Sequence, residues 1–318
     1  MPTATRVNHR LRPSALLLTL LAALVSASCC PPPDTDERGW PRQLVLGLVP
    51  ANEAEAMVDN LGPLTDFLEQ RLGLSVRAFV PQDYTGVVEA MGSGRADIGM
   101  LPPFAAMLGM RRYDIEPILV SVRNGETGYR SQWMTNDRAL CDSDPVADAR
   151  GMLSCQGRLE AIAGRSVAFT DPNSTSGFLF PSLQLVELGM DPERELRRLF
   201  VGAHDAAVLA VYGGDVSVGV SYEDARGMVR PQFPDVGERV IVFAHSRRIP
   251  NDGVLLRADL PEDLKIAIRE AFVALTREQA ELPREQRVLW IIYEIDDFIP
   301  ATPDIYDPVA AAYDFMRR

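Results

Sequence analysis

The sequence is poor in the side chains that hold metals. Its 318 residues include three histidines, His9, His204 and His245, and four cysteines. The histidines do not cluster, and a metal site needs several such ligands close together, which sets a metal receptor aside. Positive charge is also short: 32 basic residues stand against 44 acidic ones, for a formal charge of −12, and Lys265 is the one lysine. Such an acidic chain argues against nucleic acid or anionic lipid as a partner. Any anionic ligand must therefore be captured by local donors. There is no G-x-S-x-G nucleophile motif. The apolar run Leu16–Val25, about ten residues, is too short to span a bilayer.

That run belongs to an export signal. Arg6, Arg10 and Arg12 precede it, and Ser26, Ala27 and Ser28 lead to Cys29. This is the layout of a bacterial lipoprotein leader, cleaved after residue 28 with Cys29 acylated. Ser26 stands where leucine is commonest and Cys30 competes for the lipid, so ordinary secretory cleavage is the alternative. Either way the protein is exported, to the periplasm or the outer face of the cytoplasmic membrane. Losing residues 1–28 removes three arginines and no acid, which moves the formal charge from −12 to −15. Cys141 and Cys155 are then an even pair in an oxidising compartment, and a disulfide is expected across an Asp- and Gly-rich insertion.

Residues 29–42, with Pro31-Pro32-Pro33 and no apolar period, read as a tether. The apolar run Leu44–Val49 reads as a buried parallel strand. A helix is expected over 53–72, stopped by Gly73. A strand at 75–80, a helix from Asp83 to Met91 and a strand ending at Leu101 complete a βαβαβ lobe. The grammar repeats in the second half, from Tyr129–Thr135 through Arg165–Phe169, Leu199–Val201 and Gly213–Val220. The strand over 239–244 is expected to carry the chain back to the first lobe, and helices are expected over 260–275 and 283–293. The expected organisation is lobe I at 43–125 and 246–318, and lobe II at 126–245 with the cysteine insertion at 136–160. Two crossing segments would make a cleft able to hinge.

The most informative stretch is Asp171-Pro172-Asn173-Ser174-Thr175-Ser176-Gly177. It lies between the strand 165–169 and a helical pattern interrupted by Pro181. The first amides of a helix lack internal partners and carry partial positive charge. Ser174, Thr175 and Ser176 add hydroxyl donors, and Gly177 allows close approach to the backbone. The result is an anion cradle with no cationic side chain. The plainer alternative is that Ser174 or Ser176 only caps the helix. Tyr84 and Pro102-Pro103-Phe104 follow the second and third strands, where ligands of such sheets sit. Taken alone, Tyr84 reads as packing and His204 as a neutral hydrogen-bonded side chain.

Several blocks in order now carry a resemblance. Asp83-Tyr84 with Ala90–Ile98, Gly164–Gly177, Gly202-Ala203-His204-Asp205, Gly214-Asp215-Val216, Ile249–Asp252 and the tail Phe298–Val309 resemble the substrate-binding lipoproteins of ATP-binding-cassette importers for phosphonate, phosphite or phosphate. The resemblance implies an α/β fold of the type II periplasmic binding class, two doubly wound lobes joined by two hinge crossings, with no cofactor and no catalysis. It implies that Ser174, Thr175, Ser176 and Gly177 receive a small phosphorus oxyanion. Tyr84 would reach it from the other lobe, His204 from the next helix, and Asp252 would line the cleft. Permease subunits in the membrane would be the partners, membrane contact would be through the lipid alone, and a monomer is expected.

The pattern departs in places. Ala106 stands where the family often has tyrosine, with Phe104 two positions earlier, and Ser217 where it usually has aspartate. Glu223 and Asp224 follow, able to hold an amine or to be plain surface acids. Two rivals remain. One is a ligand-binding module for a membrane sensor kinase. The other is an exported hydrolase using Ser174 or Ser176, His204 and Asp171. A related cofactor-bearing enzyme of this fold would need a basic cleft and a dedicated cysteine, which this chain lacks.

Overall fold

The computed structural model of the protein describes residues 35–52 and 54–317. The expected leader, Cys29 and the first part of the expected tether lie outside the described residues. The rest of the tether is not loose. Trp40 is buried and donates its Nε1–H to Asp263 at 3.0 Å, with the Arg38 guanidinium 3.8 Å from its ring.

The first run of elements is β1 (Gln43–Leu48), α1 (Ala54–Asp59), α2 (Leu61–Leu72), β2 (Ser75–Phe79), α3 (Tyr84–Gly92), β3 (Ile98–Leu101), α4 (Pro103–Arg112) and β4 (Ile115–Val122). β1 pairs in parallel with β2 and with β3, which explains its buried apolar run. The single helix expected over 53–72 is two helices. Pro63 cannot donate a helical hydrogen bond, and its ring clashes with a preceding helical turn. A new start at Leu61 places it among the first amides, which need no internal partner. Gly73 closes α2 in the left-handed conformation, at φ 67°, donating to Glu69.

The chain then passes through β5 (Gly128–Tyr129) into β6 (Ser131–Thr135), β7 (Val146–Ala147), β8 (Leu153–Ser154) and β9 (Ser166–Phe169). A π-helical turn over Thr175–Leu179 runs directly into α5 (Phe180–Glu187). After it come α6 (Pro192–Glu195), β10 (Arg197–Phe200), α7 (His204–Gly213), β11 (Val218–Tyr222), α8 (Arg226–Val229), α9 (Val236–Arg239) and β12 (Ile241–His245). These strands, β5 apart, make one sheet in the order β10-β9-β11-β6-β12-β8-β7.

The expectation that the strand over 239–244 returns to the first lobe is corrected. β12 pairs antiparallel with β6 inside the second sheet. The return runs through β13 (Ile249–Pro250), paired with β5, and then β14 (Gly253–Arg257). β14 lies antiparallel between β3 and β4, and Val254, Leu255 and Leu256 are wholly buried there. The remaining elements are α10 (Glu262–Glu278), α11 (Val288–Tyr293), β15 (Asp297–Pro300) and α12 (Asp307–Met316). The expected helix at 283–293 is a short 3-10 turn at Arg284–Gln286, an extended Arg287 and α11. The first sheet has the order β15-β4-β14-β3-β1-β2. β5 and β13 thus carry the two crossings side by side.

The first sheet buries one apolar cluster and the second two, with one exchange between the sheets. Leu179, Phe180 and Leu183, at the start of α5, pack into the cluster of the first sheet. Among the described residues, no helix is long and apolar enough to cross a membrane.

Cys141 and Cys155 are joined, with Cα atoms 5.6 Å apart and 14 positions between them in sequence. Closing a loop of this length restricts the unfolded chain and stabilises by about 3 kcal/mol. Replacing both cysteines by serine is therefore expected to lower the urea unfolding free energy by roughly 2–3 kcal/mol. An unchanged midpoint would show that the clip does not constrain the unfolded state. Gly177 gives a second prediction. A Cβ there would sit 1.8 Å from Thr170 Oγ1 and 2.7 Å from its Cβ, and Thr170 is fully buried. Gly177→Ala should cost about 1–3 kcal/mol in the same assay through overpacking.

Candidate ligand-binding site

Four helical segments begin around one closed space. Tyr84 is the first residue of α3, Pro102 precedes α4, Ser174 precedes the π-helical turn, and His204 is the first residue of α7. All four line a cavity of about 60 Å³, together with Ser176, Asp252, Arg123, Tyr129, Tyr222, Tyr293, Asn52 and the apolar Val49 and Ala51. One water needs roughly 10–15 Å³ on this measure, so there is room for several waters or one small polar guest. Helix starts supply unpaired amides and partial positive charge.

The lobes are tied across this space by hydrogen bonds from helix starts. The Phe104 amide donates to Thr175 Oγ1 at 2.9 Å, and the His204 amide to the Ala51 carbonyl at 3.0 Å. The Tyr84 amide donates to Asp171 Oδ2 at 3.3 Å, and Asn173 Nδ2 to Thr85 Oγ1 at 2.8 Å. Thr175 is therefore engaged between lobes and does not line the cavity. Gly177 does not line it either. The object close to Gly177 is Thr170, and the Gly177 amide donates to Ser174 Oγ at 3.0 Å. Ser174 is thus a true N-cap. An accepting hydroxyl still has its own hydrogen to donate.

The expected cradle without a cation is corrected by Arg123. It follows β4 directly. Its Nη2 donates to Asp252 Oδ2 at 2.6 Å and its Nε to the Tyr293 carbonyl at 2.9 Å. Burial works to lower the Arg123 pKa, but the Asp252 carboxylate outweighs it and the value lies above the usual one. The tyrosines keep their protons. Burial raises the Tyr84, Tyr129, Tyr222 and Tyr293 phenols, and nearby carboxylates such as Asp171, Asp252 and Glu294 raise them further. Tyr293 donates to the Val49 carbonyl at 2.7 Å, and the Tyr222 hydroxyl is turned to the Met228 sulfur. Tyr84 is buried and lines the cavity. His204 is buried, which lowers its pKa to about 3, with the positive Arg123 adding to the effect. Its Nδ1 lies 2.9 Å from Ser221 Oγ, and its ring meets the Tyr222 ring edge-on.

The hydrolase arrangement is not assembled. His204 is hydrogen-bonded to Ser221, while Asp171 accepts from the amides of Tyr84 and Asn173. Glu223 and Asp224 do not line the small cavity. They face a separate, wider one of about 440 Å³, where Asp224 pairs with Arg226 and Arg150. Phe104 is buried against Tyr313 at 5.3 Å, and Ala106 is wholly buried. Ser217 caps nothing in the site, and its carbonyl accepts from Thr135.

The sequence reading missed Arg123, Tyr129, Tyr222, Tyr293 and Asn52. Arg123 had a signal, since it follows a strand of the first sheet at its carboxyl end, where ligands of such sheets sit. Tyr222, the last residue of β11, had the same signal, while Tyr129 in β5 and Tyr293 in α11 had none, because those elements reach the cavity only through the return of the chain.

The comparisons agree with this geometry. Residues 46–306 match the family described as "ABC transporter, phosphonate, periplasmic substrate-binding protein". The phosphate-import protein PhnD of Mycolicibacterium smegmatis is 31% identical over 228 residues, which are 69% of this chain and 66% of that protein. The phosphonates-binding periplasmic protein of Escherichia coli is 23% identical over 263 residues, 82% of this chain and 75% of that one. Among solved structures, PhnD1 of Prochlorococcus marinus in complex with methylphosphonate superposes with a TM-score of 0.72 at 16% identity, covering 87% of this chain and 98% of that one. That likeness carries the fold, which is of the type II periplasmic binding class. With the family profile spanning most of its length, the chain belongs to the periplasmic substrate-binding proteins of phosphonate ABC transporters.

Proposed function

We propose that this protein captures a small phosphorus oxyanion, a phosphonate, phosphite or phosphate, in the interlobe cavity and presents it to a membrane permease. The observation that carries the reading is the convergence of four helix starts and neutral hydroxyl donors on one small closed space. Ser174, Ser176 and the Tyr84 phenol are the donors aimed at the anion, with the amides at the start of the π-helical turn. His204 stays uncharged and fixes one side of the cavity. Thr175 acts indirectly, by accepting the Phe104 amide when the lobes meet. The protein works as a binding component without catalysis, as a monomer, held at the membrane by a lipid on Cys29.

The energetics suffice. A hydrogen bond to a charged group contributes about 1.5–3 kcal/mol, and more in a space that excludes water. Micromolar affinity requires about 8 kcal/mol in total. Four or five such bonds supply this after ordering costs of several kcal/mol.

Calorimetry of the purified protein with phosphate, phosphite and methylphosphonate is expected to give roughly micromolar binding to at least one. Ser176→Ala should weaken it about tenfold, the loss of one such bond. Silence with all three anions refutes the reading. Thr175→Val leaves the buried Phe104 amide without its acceptor, and should weaken binding by a similar factor.

The uncharged imidazole has a consequence for stability. The folded-state pKa of His204 is about 3, below the usual 6.5 of an imidazole. The unfolded chain therefore takes up a proton that the folded one refuses. Stability is fully present above about pH 6.5 and falls towards pH 3, by at most about 1.4 kcal/mol per pH unit. His245, depressed by burial as well, acts in the same direction. His204→Gln should flatten the fall in urea stability between pH 6 and pH 4 relative to wild type. An identical slope would place the titration elsewhere.

A further inference from the structure

Among the described residues that line the cavity, Asp252 is the single carboxylate, and Arg123 occupies it at 2.6 Å. We infer that the guest carries no cationic group: Arg123 closes the cavity to aminoalkyl phosphonates and restricts it to compact oxyanions with a small uncharged substituent. This rests on the reading of the cavity as an oxyanion site and narrows it.

An ammonium group presents three donors and a full charge, and removing it from water is costly unless a carboxylate or several acceptors receive it. The cavity offers little. Asp252 is already paired. The Tyr293 hydroxyl is committed to the Val49 carbonyl. Asn52 Oδ1, buried without a partner, and the hydroxyls of Tyr84, Ser174 and Ser176 are neutral acceptors that supply no compensating charge. Against it stand the guanidinium of Arg123 and the positive ends of four helices, which repel a cation and attract an anion. Among the described residues, the other acids nearby do not substitute: Glu294, which acts on the Tyr222 phenol, does not line the cavity. Glu223 and Asp224 line the wider cavity, and Arg123 and Tyr129 line both, forming the wall between them. Asp224 is also paired with Arg226 and Arg150. Asp171 accepts from two amides. The free wall of the cavity, at Val49, Ala51 and Pro102, is apolar and suits hydrogen or methyl on phosphorus. A volume of about 60 Å³ suits a compact guest.

The test is calorimetry of the full protein with methylphosphonate, phosphite, phosphate and 2-aminoethylphosphonate under one set of conditions. The expected result is that 2-aminoethylphosphonate binds at least tenfold more weakly than the tightest of the other three. If it binds within tenfold of that ligand, or better, the inference is overturned while the oxyanion reading stands. If none of the four binds, both fall. Arg123→Leu frees Asp252 to receive an amine. In that variant, checked for cooperative melting, the affinity ratio should move at least tenfold towards 2-aminoethylphosphonate. A folded variant with the wild-type ratio would remove Arg123 from the explanation. Should the variant not fold, the wild-type series decides alone.

Discussion

The structure depends on how the amides at its helix starts find acceptors. Such groups have no partner inside their own helix and cannot be buried bare without cost. Here three of them take acceptors from the opposite lobe. The Tyr84 amide crosses to Asp171, the Phe104 amide to Thr175, and the His204 amide to the Ala51 carbonyl. The arrangement works in both directions between the lobes, so closure satisfies donors on each side at once. Ser174, Ser176 and Tyr84 line the cavity beside these bonds. One physical fact, unpaired N–H groups at helix starts, thus both latches the cleft and makes its interior attractive to an anion.

A latch of this kind has to be released by opening and favoured by the guest. Leu179, Phe180 and Leu183 at the start of α5 pack with the first sheet's cluster, so the closed form also buries apolar surface. A ligand shifts such an equilibrium only through contacts that it makes in one state and not the other. In the proposed site, donors from both lobes, Tyr84 on one side and Ser174 and Ser176 on the other, would meet that condition, because they line one cavity. The two crossings between the sheets run side by side as the β5–β13 pair.

Much of this was legible in the sequence, for reasons that differ by residue. The buried run of β1 and the strand–turn–helix at Ser174–Gly177 declare themselves locally, through apolar continuity and small polar residues before a helical period. Gly177 was rightly read as a point of close approach, but the approaching group is Thr170, a partner only a tertiary structure can name. The break before Pro63 was also local and could have been read from the proline. β14 was missed because Val254-Leu255-Leu256 is a short apolar run whose partners lie more than a hundred residues away. Arg123 was missed for a related reason. Charge in a sequence is counted as a sum, and a chain with net charge −12 gave no hint that one guanidinium would be buried beside its cleft.

That contrast between net and local charge decides how an acidic protein holds an anion. Exposed charges are screened within about 8 Å at physiological ionic strength, so the surface excess of carboxylates adds little at the mouth of the cleft. Inside, screening is weak and the effective dielectric is low, so the fixed groups dominate. Arg123 and Asp252 nearly cancel as charges but remain as an oriented pair, and four phenols held neutral by burial add dipoles without adding charge. The cavity is then a set of positive dipole ends, at the helix starts and hydroxyls, with one paired cation. This arrangement favours an anion strongly when dry and only weakly when open to water, so affinity and closure are consequences of the same exclusion of solvent.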